Sequence, residues 1–213
     1  MAAAIIKLLG SQLLLWLLLA LPGVLMVLTY LTDPDIWVAD LLHPSGEWSA
    51  RLIIFALMIT PLSILFRGRQ WVQWLVRRRR AFGVAGFAYA LLHLTFYMLD
   101  METVQNVLAE IGALGIWTGW AAFFLFLPLA LTSNDASMRA LKGGWKRLQR
   151  LAYPAAVLTL VHWMFVHDDV SAALMNFAPL AALEAWRVLQ LLRSRSSGRQ
   201  RLSAIQLPTS GGN

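Results

Sequence analysis

Six apolar runs, at about residues 8–31, 50–66, 81–99, 113–132, 148–167 and 170–192, divide most of this 213-residue chain. Each is near the length an α-helix needs to cross about 30 Å of hydrocarbon. A backbone inside lipid must satisfy its own hydrogen bonds, which leaves helices or closed barrels, and runs of this length select helices. The expectation is an all-α integral membrane bundle of six spans. A composition of 59% hydrophobic residues with ten tryptophans agrees, since it exceeds what a soluble domain of this size normally holds. The second run is short and lies between Arg51 and Arg67, and the sixth contains Asn176, Pro179 and Glu184, so these two are the least regular. The first run is too long and too weakly basic at its start for a cleaved signal peptide and is read as a mature helix.

The net charge of +7 does not point to nucleic acid, because the basic residues gather in short segments between apolar runs. Arg67, Arg69 and Arg77 to Arg80 fall between runs two and three, and Arg139, Lys142, Lys146, Arg147 and Arg150 between four and five. Arg187, Arg193, Arg195, Arg199 and Arg201 fall near the C-terminus. With six spans all three segments share one side, which the positive-inside rule makes cytoplasmic, with both termini. The other connections hold Asp33, Asp35, Asp40 and Glu47, then Asp100, Glu102 and Glu110, then Asp168 and Asp169. Residues 1–193 form the expected membrane domain, and 194–213, rich in Ser, Gly and Arg, an expected disordered cytoplasmic tail.

Two histidines stand inside these runs. Counting from the cytoplasmic ends of spans three and five, His93 lies about twelve residues in and His162 about fourteen, which is one height at about 1.5 Å per residue. An ionisable residue at that depth is costly and marks a functional site by default. Two neutral imidazoles facing each other across a bundle are the ligand set of a b-type haem iron. The bland alternative is a pair of buried histidines bonded across the bundle, or part of a proton path. Seven residues before each histidine, on the same helical face, stand Gly86 and Ala155. These small residues admit either a flat macrocycle or a neighbouring backbone.

Arg51 breaks the charge segregation at the outer end of span two. Its guanidinium could meet a haem propionate, or it could pair with Glu47 or snorkel to headgroups. His43 is expected in an outer loop, and His167 beside Asp168 and Asp169 at the outer end of span five. Both read as solvated groups, with a peripheral metal or a pH response as the alternative. With no cysteine there is no thiolate site and no covalent haem attachment. Trp37, Trp48, Trp71, Trp74, Trp117, Trp145 and Trp186 fit an interfacial belt.

Taken in order, several segments resemble one family. They are Asp33-Pro34 through His43-Pro44-Ser45-Gly46, Ile59-Thr60-Pro61-Leu62, Arg77 to Arg80, Leu91-Leu92-His93-Leu94-Thr95, Leu131-Thr132-Ser133, Trp145 to Leu148, and Val161-His162-Trp163. Together they are similar to the MsrQ haem-binding membrane subunits of methionine sulfoxide reductase systems, within the ferric reductase-like transmembrane superfamily. The resemblance implies a six-helix b-type cytochrome of a bacterial inner membrane. It would pass electrons from a cytoplasmic flavin reductase or quinol to a periplasmic partner, as a subunit and not a self-sufficient enzyme.

One position departs from that family. A further histidine is expected where this chain has Gln149, thirteen residues before His162, and thirteen before His93 stands Arg80. A second bis-histidine haem is therefore not expected. The offset is about 20 Å of helix rise, so a single outer haem b leaves a wide gap to the cytoplasm. An FMN or quinone bound deeper in the bundle, or a second haem held by unusual ligands, would fill that gap; the basic segments 77–80 and 142–150 could hold a flavin phosphate or a reductase, with anionic lipid headgroups as their preferred partners. The alternative function is a non-catalytic accessory or scaffold subunit of a larger membrane complex, its haem structural or lost.

Overall fold

The computed structural model describes residues 11–166 and 170–205, with side chains as far as Ser194. The described residues form helices and no strand. These are α1 (Gln12–Thr32), α2 (Val38–Leu65), α3 (Gln70–Asp100), α4 (Val104–Glu110), α5 (Leu114–Leu131), α6 (Asp135–Leu141), α7 (Gly143–Gln149), α8 (Ala152–Val166) and α9 (Val170–Ile205). Of these, α1, α2, α3 and α5 are long and apolar enough to cross a membrane. The described part of helix α8 has 15 residues. Helix α9 mixes an apolar half with Glu184, Arg187 and Arg193.

Local chemistry sets the helix starts. Ser11 accepts from the Leu14 N–H at 3.0 Å to cap α1, Thr103 caps α4 through Asn106 and Asn134 caps α6 through Ser137. Helix α2 begins at Val38, well before the apolar run, because Asp40 accepts the Trp37 N–H at 3.2 Å in its first turn. His43 therefore sits on a helix and not in a loop, a correction to the sequence reading. The basic run Arg77 to Arg80 is likewise inside α3, since strong helix formers extend an existing helix without a new nucleus. Helix α9 is described as far as Ile205. The readings of His167, Asp168, Asp169 and residues 206–213 lie outside the described residues.

Two antiparallel pairs build the bundle, α2 along α3 and α5 along α8, while α9 covers α2 and α8. One core joins Ala50, Ile53, Leu57, Ala122, Phe126, Ala155, Trp163 and Phe177. A second joins Leu52, Ile59, Phe82, Ala85 and Tyr89 under α1. Helix α1 has no buried residue. It is held by the Tyr89 hydroxyl, which accepts from the Gly23 N–H at 2.8 Å and donates to the Leu19 carbonyl at 2.9 Å. That hydroxyl is inserted into the helical ladder one residue after Pro22, a recognised cause of a helix kink. The α2–α3 contact is close because Gly86 lets α2 in. A Cβ there would stand 2.7 Å from Ile53 Cγ1, and Ser49 Oγ donates to the Gly86 carbonyl at 2.9 Å.

Candidate functional site

The imidazoles of His93 on α3 and His162 on α8 are neighbours, with ring centroids 6.0 Å apart and planes at 78°. The equal depth inferred by counting along two helices is what the bundle delivers. Each ring is oriented by a backbone carbonyl of the other helix in its own pair. His93 Nδ1 donates to the Leu42 carbonyl at 3.0 Å, with Ser45 Oγ at 3.3 Å, and His162 Nδ1 donates to the Gly115 carbonyl at 2.7 Å. A carbonyl oxygen only accepts, so each Nδ1 bears the proton and each Nε2 keeps its lone pair. This is the tautomer of a metal-binding histidine, with an outer partner fixing the ring.

Those carbonyls reach the rings because glycines admit them. A Cβ on Gly119 would lie 2.5 Å from His162 Nδ1, and one on Gly46 3.1 Å from His93 Nδ1. Both glycines line one cavity with the two histidines, and its wall is otherwise mainly apolar and aromatic, including Ile53, Ala90, Phe123 and Phe126. Gly46 and Gly119 were missed in the sequence, where the small residues seven positions before each histidine drew attention instead. Gly86 and Ala155 are placed at helix contacts, the first against Ile53 and the second fully buried in the core, and neither lines the cavity. Arg51 is not among the lining residues either. Its Nη2 pairs with Glu47 Oε1 at 3.0 Å, its Nε donates to Asn176 Oδ1 at 3.2 Å, and His43 Nε2 meets the same Glu47 oxygen at 3.4 Å. Glu47 does line the cavity. The described residues hold no group of three or more His, Asp or Glu placed to share a metal ion.

Haem fits this donor set. Two imidazoles 6.0 Å apart, each with its Nδ1 proton committed to a carbonyl and its Nε2 lone pair left over, in a mainly apolar cavity, are the ligand chemistry a b-type haem iron takes.

A second cavity, of about 830 Å³, opens at the N-terminal half of α3. Arg77 to Arg80, Lys146 and Arg150 line it together with Trp16, Phe87, Trp145 and Tyr153. Gln149 and Arg80, the two positions thirteen residues before the histidines, both come to this cavity. Gln149 Nε2 donates to the Leu129 carbonyl at 3.3 Å, and Arg80 pairs with Asp135 at 2.7 Å. Deeper, Arg79 Nε donates to the Ala56 carbonyl at 3.0 Å. Arg187 bridges the Tyr153 hydroxyl at 3.0 Å and Glu184 at 2.8 Å. Asp135 is exposed, and its hydrogen bond and charge contact with Arg80 hold its carboxyl below the usual value.

The family model for the ferric reductase like transmembrane component matches residues 45–160. A protein-methionine-sulfoxide reductase heme-binding subunit MsrQ of Xanthomonas axonopodis pv. citri is 37% identical over 168 residues, 77% of this chain and 75% of that one. The MsrQ of Xanthomonas oryzae pv. oryzae is 34% identical, covering 79% and 78%. That of Azospira oryzae is 35% identical, covering 70% and 64%. No solved structure matches the chain.

Proposed function

The chain belongs to the MsrQ family of ferric reductase-like transmembrane proteins, and from that premise we propose that it is a haem b membrane subunit of a methionine sulfoxide reductase system. His93 and His162 would hold the iron through their Nε2 atoms. The observation that carries this reading is the pair of rings 6.0 Å apart with both Nδ1 atoms turned to backbone carbonyls. When bound, a haem supplies one-electron chemistry that no side chain here has. The protein's part is orientation and exclusion of water: Leu42, Ser45 and Gly115 fix the rings, and the apolar lining keeps the site dry. Arg51, one turn beyond Glu47, is kept as a propionate contact that would exchange its carboxylate partner.

Two further assignments belong to the same reading. The arginine-lined cavity would take a phosphate-bearing flavin such as FMN, or a quinone head. Four consecutive arginines suit a phosphate, and the tryptophans and Tyr153 suit a flat ring. Helices α8 and α9 would complete six spans with α1, α2, α3 and α5, placing both termini and the arginine cavity on the cytoplasmic side of a bacterial inner membrane. Electrons would then run from a cytoplasmic flavin reductase or quinol toward a periplasmic partner.

The test is the absorption spectrum of the purified protein, oxidised and dithionite-reduced, with haem per chain measured as pyridine haemochrome. One haem per chain is expected, abolished by His93→Leu and by His162→Leu. Protein made with ample haem that shows no Soret band overturns the reading.

A further inference from the structure

The two cavities share a wall. Ile53 of α2 and Phe126 of α5 line both the histidine cavity and the arginine cavity. Beside them Phe87, on the arginine side, stacks on Phe123, on the histidine side, with centroids 5.4 Å apart and planes at 27°. Counting along one helix separates the two levels by about 20 Å. That count measures between backbone positions and ignores how far the cavities extend toward each other.

We propose that Ile53 and Phe126, a single side chain thick, and the stacked Phe87–Phe123 pair, two thick, form one partition that sets the closest approach between a prosthetic group in each cavity. The proposal rests on the functional reading above and adds the residues that couple the two sites. The partition is rigid by construction. Ile53 and Phe126 are both buried in the same core, and Ile53 is pressed against Gly86, with the Ser49–Gly86 hydrogen bond fixing the helix spacing there. It is also wholly apolar. An oil-like wall leaves no polar stepping stone for water or protons between the arginine side and the histidine side. Coupling across it is by contact, so a change in the wall's shape must register on both faces. A change on a residue outside the wall that lines one cavity alone must register on one.

The full chain in detergent or vesicles is examined with two readouts, the haem Soret band with its midpoint potential, and the dissociation constant of added flavin mononucleotide. Phe126→Leu and Ile53→Val are expected to move both, with flavin affinity changing at least threefold. Ala90→Val, on the histidine cavity only, should move the haem signal alone, and Ala130→Val, on the arginine cavity only, the flavin signal alone. In the wild type, bound flavin should be quenched at least tenfold more in haem-loaded than in haem-free protein, a result independent of any variant's stability. The partition is overturned if flavin binds with haem present and its fluorescence is undiminished, or if Phe126→Leu and Ile53→Val move only one readout. Absence of haem, or of flavin binding that Arg79→Gln weakens, overturns the functional reading and the partition with it.

Discussion

Gly119 has no room for a methyl group: its Cβ would lie 2.5 Å from His162 Nδ1. A clash of that depth against a ring tied to a backbone carbonyl cannot be relieved by a flexible chain end. Overpacking of this kind costs about 1–3 kcal/mol, so Gly119→Ala is expected to lower haem per chain at least fivefold by pyridine haemochrome. Gly143→Ala, with nothing within 4 Å, should leave it unchanged. Gly46→Ala, at 3.1 Å from His93, should fall between them. A sequence shows which glycines exist but not which face a ring on another helix, so these two supports were not legible. The histidines were, because depth along a straight helix can be counted at a fixed rise per residue. Arg51 shows the limit of that counting. Its height was inferred, but its pairing with Glu47 and Asn176 depends on rotamer and on α9, which no local pattern encodes.

Between helices, single hydroxyls do much of the joining. Ser49→Ala removes the donor to the Gly86 carbonyl, and interhelical hydrogen bonds in membranes are worth about 0.6 kcal/mol, at most near 1.7. A loss of that size should appear as a lower unfolding midpoint in mixed micelles, with the haem signal retained below the midpoint. Tyr89→Phe acts differently. It withdraws the hydroxyl from between Leu19 and Gly23, letting those two groups bond to each other and freeing α1 from α3. Increased protease cleavage near residue 33 would report this. The Arg80–Asp135 pair ties α6 to α3. Because Asp135 is held below its ordinary carboxylate value, the pair's contribution is present above that value and lost as pH falls through the depressed one. Hydrogen exchange in α6, corrected for its intrinsic pH dependence, should be constant between pH 8 and 5 and should quicken only below about pH 4. The early start of α2 and the helical arginine run escaped the sequence reading for one reason. Hydropathy marks where a helix is apolar, and helices extend past the lipid on their polar ends.

Across the whole molecule, the all-helical membrane architecture was legible from run length, and α1, α2, α3 and α5 meet that criterion. What was not legible is how far α3 runs past its apolar stretch. Helix α3, which holds His93, has 31 residues, about 46 Å, some 16 Å more than a hydrocarbon core of about 30 Å. The surplus matches the segment from Gln70 to Arg80, whose last four residues are arginines, so the apolar remainder fits the lipid while the basic end stands among the headgroups. One helix thus carries His93 on its apolar stretch and a lipid anchor at its end, and the height of that imidazole in the membrane follows from where the arginines come to rest.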